Sequence, residues 1–441
     1  MKLIKFFNYK FFMLFKIKIL MRFSLFMIGL VLIISCNSEV SDRLLQGDYV
    51  GKLEVENNKY LPFNFSVTND STLVVQNSSE IVGFSIDYLK DSIFIRSKVF
   101  EGYIKGILDD NKINGVFVIE SLDRSVPFTS YNSNKRFNID FENNEKLTLN
   151  RWRFTFNPNM DNASLSLGIF NPIGHNEISA TFRTSTGDYG YMHGGYKDSK
   201  IVLSTFNGSR AYLLEAELNN SNDSINGIMY SGNHSKTIIE GVLDNIFELS
   251  NEYSLTSLQS KNQKFEFSFE NTAGKLISID DDIFDGKSMV IQLMGSWCSN
   301  CLDESKFYVD YLNKNKLNDI EFVALAFEYA KTKDDALSSI LKLKNQIGID
   351  YPILLAQYGS SDKGKALEKF PMLNNIISYP TTIFLDKNKD VIKIHTGFNG
   401  PATGKKYIEF INEFDNTIRF MQGNWSFNYL SYVTPKIFIF N

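Results

Sequence analysis

Cysteine is scarce. The 441 residues hold three: Cys36, Cys298 and Cys301. Three thiols cannot staple a disulfide scaffold. No second cysteine pair exists, and the four histidines (His175, His193, His234 and His395) are scattered, so a four-ligand zinc site lacks its ligands. Basic runs are missing from the body of the chain. All six charges of residues 1–35 are basic, and without them 40 basic residues face 50 acidic ones, a net charge near −10. An acidic body without a basic stretch argues against a nucleic-acid partner. The unbroken apolar run at residues 23–35 is thirteen long, too short for a bilayer-spanning helix, which takes about 20 residues.

What is present at the N-terminus reads as export. A basic leader followed by a short apolar run is the pattern of a secretory signal. The run ends in Ile33-Ile34-Ser35-Cys36, which resembles the bacterial lipoprotein cleavage box. There a small residue precedes a cysteine that is lipidated and becomes the mature N-terminus. The resemblance implies a signal peptide at 1–35, lipidation at Cys36, and a protein exported and lipid-anchored to a bacterial membrane, facing the periplasm. Met21 is an alternative start, and an uncleaved N-terminal anchor is the rival reading. Several acyl chains at about 0.8 kcal/mol per buried CH2 would hold the chain firmly to a membrane, outside the glutathione-reduced cytoplasm.

The length accommodates two or three domains, and an apolar content of 43% supports packed cores. The expected fold class is multidomain: an all-β N-terminal part followed by an α/β domain. A polar tether is expected at 36–46. From there to about 245 no long amphipathic helix pattern occurs. Aromatic and β-branched runs at 60–67, 92–96, 115–119, 200–205 and 211–217 alternate with Asn, Asp, Gly and Ser turns. Lys90-Asp91-Ser92 matches Lys197-Asp198-Ser199, and Ile113-Asn114-Gly115 matches Ile225-Asn226-Gly227. Tyr49 and Trp152 open the two units. Tandem β-meanders at 47–140 and 150–245, each a small barrel or sandwich, fit this repeat. Residues 246–264 lack periodicity and read as a linker. The pattern then alternates strand and helix from 265 to 421, as an α/β domain does. Helices are expected at 298–316 and 332–347, the second capped by Thr332 and stopped at Gly348. A hairpin is expected over 382–395. Residues 422–441 are an aromatic tail without an assignment.

Trp297-Cys298-Ser299-Asn300-Cys301 follows the apolar run 289–294 and opens a predicted helix. Two residues between cysteines on a first helical turn bring the sulfurs within bonding reach. Cys298 lies nearest the unpaired N–H groups and the positive end of the helix dipole, both of which favour thiolate. A thiol of pKa about 8.5 is a few per cent ionised at pH 7, and one of about 7 is half ionised. Cys298 is therefore the expected nucleophile. Cys301, deeper in the helix, would resolve the mixed disulfide. A structural disulfide here would close almost no loop and stabilise little.

With these residues in hand, 265–421 resembles the thioredoxin superfamily, and within it the TlpA/ResA-like membrane-tethered thiol–disulfide oxidoreductases. The order strand, Trp-Cys-x-x-Cys, helix, strand, helix, then Tyr379-Pro380-Thr381-Thr382 before a hairpin carries the resemblance. It implies a cis Pro380 facing the cysteines, with Trp297, Tyr379 and Pro380 contacting substrate. It also implies that Glu328, at a strand end, accepts the proton of Cys301. Gln292 stands six residues before Cys298, where thioredoxin carries a buried acid, so the chain is expected to manage without that carboxylate. Ser299-Asn300 stands where thioredoxin has Gly-Pro, and the dipeptide tunes the potential. His395 is expected as a strand residue, and Asp303 and Glu304 as solvated helix charges.

The implied activity is disulfide reduction in cysteine-containing client proteins outside the cytoplasm. It would run through a redox-active Cys298–Cys301 disulfide without a metal or other cofactor. Electrons would come from a DsbD/CcdA-type membrane donor, with a role in cytochrome c maturation. Two other readings compete. One is a surface-binding lipoprotein whose thioredoxin-like domain is a redox-regulated clamp. The other is a peroxiredoxin, which Met294-Gly295-Ser296-Trp297 does not favour, lacking the Pro- and Thr-rich approach to the cysteine.

Overall fold

The computed structural model describes residues 43–141, 151–173, 176–260 and 263–423. The expected signal peptide, Cys36, His175 and most of the tail, 424–441, lie outside the described residues.

The first β unit is a closed barrel of eight consecutive antiparallel strands. Gly47–Glu56 shows why these residues form strands: Tyr49, Gly51, Leu53 and Val55 face inward with period two. Tight turns join the strands, with Asn58, Ser78, Lys90, Asp110 and Asn111 in the left-handed region. The barrel closes where Gly47–Glu56 pairs with Arg124–Asn132, Tyr49 opposite Asn132 and Leu53 opposite Phe128.

The second unit is a nine-stranded sheet that also closes. Arg151–Phe156 pairs with Ser164–Ile173 on one side and Ser235–Leu243 on the other. Ser164–Ile173 then pairs with Glu177–Thr184. The two-residue strand Gly187–Asp188 is an appendage on Glu177–Thr184. The sequence repeat maps onto equivalent strands. Both Lys-Asp-Ser tripeptides lead into the fifth strand of their ring, Ser92–Ser97 and Lys200–Phe206. Both Ile-Asn-Gly tripeptides lie on the seventh, Lys112–Ile119 and Ser224–Ser231. A Cβ at Gly115 or Gly227 would run into the preceding strand, at the carbonyls of Lys105 and Glu215 respectively. Glycine lets the strands approach there.

The C-terminal part is α/β. Its seven-stranded sheet has the spatial order Leu276–Ser278, Ser268–Asn271, Ile353–Gln357, Ile320–Phe327, Ser288–Met294, Thr381–Leu385, Val391–Thr396. Ser288–Met294, parallel to Ile320–Phe327, is buried at all seven positions, as a strand covered on both faces must be. Among the described residues the helices are α1 (Ser299–Lys314), α2 (Lys333–Ile347), the short α3 (Lys363–Leu367) and α4 (Lys405–Met421). Thr332 caps α2 by accepting from the Asp335 N–H, and Gly348 ends it in the left-handed region. Phe307 of α1 packs on Phe410 and Phe414 of α4, centroids 5.2 and 5.0 Å away.

The three parts interlock. Phe206, from the second ring, is buried inside the first barrel with its centroid 4.3 Å from Phe63 and 5.2 Å from Phe117. Val99 and Phe100 of the first barrel join the core of the α/β part. Arg136 ties the two rings by donating to Asn64 Oδ1 (3.0 Å) and the Ser204 carbonyl (2.9 Å). The expected linker is strapped down rather than free. Gln259 N donates to the Met372 carbonyl at 2.8 Å, Thr396 N to the Glu252 carbonyl at 3.2 Å, and Lys406 binds Glu252 at 2.5 Å. Its polar residues pair with the domain edge, which a hydrophobicity period cannot register.

Candidate active site

Cys298 is the N-cap of α1, in extended conformation, with Ser299 the first helical residue. Its Sγ accepts from the Cys301 N–H at 3.3 Å, and the thiol donates to the Tyr379 carbonyl at 3.5 Å. Both cysteines are free thiols, Cys298 half-buried and Cys301 buried. Burial pushes the Cys298 thiol up. Hydrogen bonds from the Cys301 thiol and N–H, the charge of Arg210 and the Asn300 N–H outweigh it and bring Cys298 below an ordinary cysteine. Burial, then the hydrogen bond and charge of Cys298, hold Cys301 well above one, and Glu304 adds to that push. Cys298 is thus the more acidic of the two thiols and Cys301 the less acidic.

Three segments surround the pair. Trp297 donates from Nε1 to the Phe327 carbonyl at 2.9 Å, and its ring meets Tyr329 and, edge-on, Tyr379. The Tyr379–Pro380 peptide is cis. Tyr379 is buried and stacked on Phe327 at 5.2 Å. The Pro380 carbonyl accepts from Gly397 N at 2.8 Å, which ties the proline turn to the end of the hairpin.

Glu328 sits at the end of Ile320–Phe327 and is 2% exposed. Its two oxygens accept from Ser296 N (2.8 Å) and Ser296 Oγ (2.7 Å). Burial outweighs those bonds and holds its carboxyl up at about 7. Both oxygens are directed at the residue before Trp297. His395 is a buried strand residue between Tyr253 and Phe410, its imidazole held down to about 4 by burial.

Two expectations are overturned. Glu304 and Asp303 are not solvated helix charges. Glu304 is fully buried; its carboxylate accepts from Gln292 Nε2 at 2.7 Å and Thr382 Oγ1 at 2.9 Å, and burial raises it to about 7. The chain does not manage without a buried acid. The carboxylate comes from α1, and Gln292 is its hydrogen-bond partner. The spacing held a signal: Cys301, Glu304 and Tyr308 follow the i, i+3, i+7 rule of one helix face, and that face points into the core. Asp303 lies 3.5 Å from Arg210 of the second β ring, with burial raising its carboxyl to about 6.

That last contact belongs to a layer no local pattern announced. The turn from Phe206 to Arg210 lies across the cysteine motif. Ser209 Oγ donates to the Trp297 carbonyl at 2.8 Å, Asn207 Nδ2 reaches Ser299 Oγ at 3.5 Å, and Arg210 binds the side-chain oxygen of Asn300. On the far side, Gly187 forms a parallel bridge with Phe398, and Gly400 N donates to Asp188 Oδ2 at 2.6 Å. A Cβ at Gly187 would strike the Asn300 amide. A cavity of about 220 Å³ opens beside this seam, walled by Phe117, Arg124, Tyr212, His234, Trp297 and Tyr329 among others.

Residues 259–408 match the model of the Redoxin family. Among curated proteins, the chain is similar to the thiol-disulfide oxidoreductase ResA of Bacillus cereus, 28% identical over 161 residues, which are 35% of this chain and 82% of that protein. It is also similar to the thioredoxin-like protein YneN of Bacillus subtilis, 24% identical over 140 residues, 32% of this chain and 73% of that one. Among solved structures, a thiol-disulfide oxidoreductase from Bacteroides fragilis is 17% identical with a TM-score of 0.25, covering 33% of this chain and 96% of its own. A thiol:disulfide interchange protein of the thioredoxin family from Chlorobium tepidum is 18% identical with a TM-score of 0.26, covering 35% and 98%.

Proposed function

Because the C-terminal part is a TlpA/ResA-like domain of the thioredoxin superfamily, and the protein a thiol–disulfide oxidoreductase, we propose that it reduces disulfides in cysteine-containing proteins outside the cytoplasm, with Cys298 as nucleophile. The Cys298 thiolate attacks one sulfur of a client disulfide. An S–S bond forms between enzyme and client, and the other client sulfur leaves as a thiolate that takes a proton. Cys301 then loses its proton and attacks Cys298. The client departs as a dithiol, and the enzyme is left with a Cys298–Cys301 disulfide. Two electrons pass from enzyme to client. No cofactor beyond this cysteine pair takes part, and a membrane dithiol carrier of the DsbD/CcdA type restores the reduced enzyme.

The carrying observation is the split between the two sulfurs: Cys298 at the helix start, its thiol lowered, against a buried and protonated Cys301. Glu304, on the same helix as Cys301, is a second buried acid whose charge acts on that thiol and whose carboxyl burial raises to about 7. Glu328, the acceptor expected from sequence, is held up at about 7 by burial and fixed by Ser296, and it stays the residue proposed to take the Cys301 proton. Trp297, Tyr379 and the cis Pro380 form the wall against which a client segment would lie. The signal-like leader and Cys36 support an exported, lipid-anchored protein facing the periplasm, where cytochrome c maturation is one use for such a reductant.

Substituting the cysteines tests this. Cys298→Ala is expected to abolish reduction of insulin disulfides, and Cys301→Ala to accumulate mixed disulfides visible on non-reducing gels. Wild-type turnover in Cys298→Ala would sink the proposal.

A further inference from the structure

The β region does more than adjoin the redox domain. Its second ring places one cation at the cysteine motif. Arg210 is 6% exposed and stands at the end of a turn held at both ends. Phe206 anchors the turn inside the first barrel. Asn207 Oδ1 accepts from Ser209 N (3.0 Å) and Arg210 N (2.7 Å). The guanidinium then reaches outward. It binds the Asn300 side chain between the two cysteines, sits 3.5 Å from Asp303 in the second turn of α1, and donates to the Asp188 carbonyl at 3.4 Å. Glu80 of the first barrel is 4.0 Å away. One buried cation thus joins both β rings to the helix that carries the thiols.

We infer that Arg210 is a positioning residue of the redox pair, fixing Asn300 and the start of α1 and setting a positive charge against the Cys298 thiolate. The β region is on this view part of the redox site and not a separate binding module. The inference rests on the reductase reading for its biological purpose, but its test does not.

The chemistry follows from the geometry. An arginine stays charged across the working pH range, and its planar fork can hold an amide and a carboxylate together. A buried charge is less screened than one on a surface. Arg210 is among the influences that lower the Cys298 thiol, after burial has raised it and the Cys301 hydrogen bonds have lowered it. The other titratable and charged groups facing this seam are Cys301, Asp303, Glu304 and Lys306 on α1, Tyr407 on α4, Asp188, Tyr191 and Tyr212 on the second ring, Glu80 on the first barrel, and Tyr379 beside the cysteines. Asp303, Asp188 and Glu80 offset the cation, so removing Asp303 should act opposite to removing Arg210. A purely structural strut would leave the acidity of Cys298 unmoved.

The experiment is the pH profile of iodoacetamide alkylation at Cys298 in the purified, reduced full chain, with peptide mass mapping to separate it from Cys301. Arg210→Met is expected to shift the midpoint up by about half to one pH unit, slowing alkylation at pH 7 by about threefold to tenfold. Arg210→Lys should recover part of the shift. Asp303→Asn should shift the midpoint down, and this variant carries the test if Arg210→Met does not fold. Unshifted profiles in folded Arg210→Met, or an unshifted or raised midpoint in Asp303→Asn, overturn the role. Insulin reduction is scored separately. A shifted profile in a protein that reduces no disulfide would overturn the reductase reading and leave Arg210 standing.

Discussion

The acids beside the cysteines make the strongest statements of any single residues in this protein. Glu304 and Glu328 are buried, and burial holds each carboxyl up at about 7 against an ordinary value of 4.5. The sign of the linkage follows. Between about pH 4.5 and 7 the unfolded chain releases these protons while the folded chain keeps them, so stability falls as pH rises through that window and levels off above it. Each group contributes on the order of 3 kcal/mol at most. Glu304→Gln is expected to keep the contacts to Gln292 and Thr382, flatten part of this slope, and raise the thermal midpoint at pH 8 more than at pH 5. Calorimetry at the two pH values checks it, and equal shifts would show that Glu304 is not the titrating group.

Elements carry the next level of control. The fifth strand of the second ring, Lys200–Phe206, ends in the aromatic plug that fills the first barrel and begins the turn across the cysteines. Phe206→Ala removes a fully buried ring contacting Phe63, Phe84 and Phe117. It should cost about 3–5 kcal/mol, read as a lower urea midpoint. Because the same turn sets Arg210, the Cys298 alkylation profile should broaden or rise as well. The cap of α2 is simpler. Thr332 Oγ1 accepts from Asp335 N at 3.1 Å, and Thr332→Ala should cost about 1 kcal/mol with no change at the cysteines, which α2 does not touch through this cap.

Over the whole molecule, the cores are shared rather than adjoining. Val99 and Phe100 lie in the core of the redox domain, and Phe206, Leu213 and Tyr230 lie in that of the first barrel. Lys342 Nζ donates to the Phe100 carbonyl at 2.6 Å, adding a polar tie between α2 and the barrel. Chains of this size commonly unfold in steps, but a shared core couples the steps. Loss of β circular dichroism and exposure of Cys301 to a thiol reagent are expected at the same urea concentration. A redox domain that exposes Cys301 well before or after the β signal is lost would show that the parts are energetically independent.

Local regularities in the chain determined much of this. Period-two aromatic runs and repeated turn tripeptides wrote two β units, because alternation and left-handed turn residues act over a few residues. Thr332 and Gly348 wrote the ends of α2 for the same reason. Cys-x-x-Cys at the start of a helix, with Tyr379-Pro380 ahead of a hairpin, wrote the redox chemistry, since the first helical turn already supplies N–H groups that favour the thiolate. Tertiary structure decided what spans the chain. Whether each meander closes depends on its first strand meeting its last. Glu304 reads as a surface charge until α1 is laid on the sheet, where Gln292 and Thr382 wait for it. Arg210, ninety residues from Asn300, is one arginine among many until both rings pack against α1. Its partners come from both rings and the α/β part, and no pattern along the chain encodes a contact whose only cause is how those parts dock.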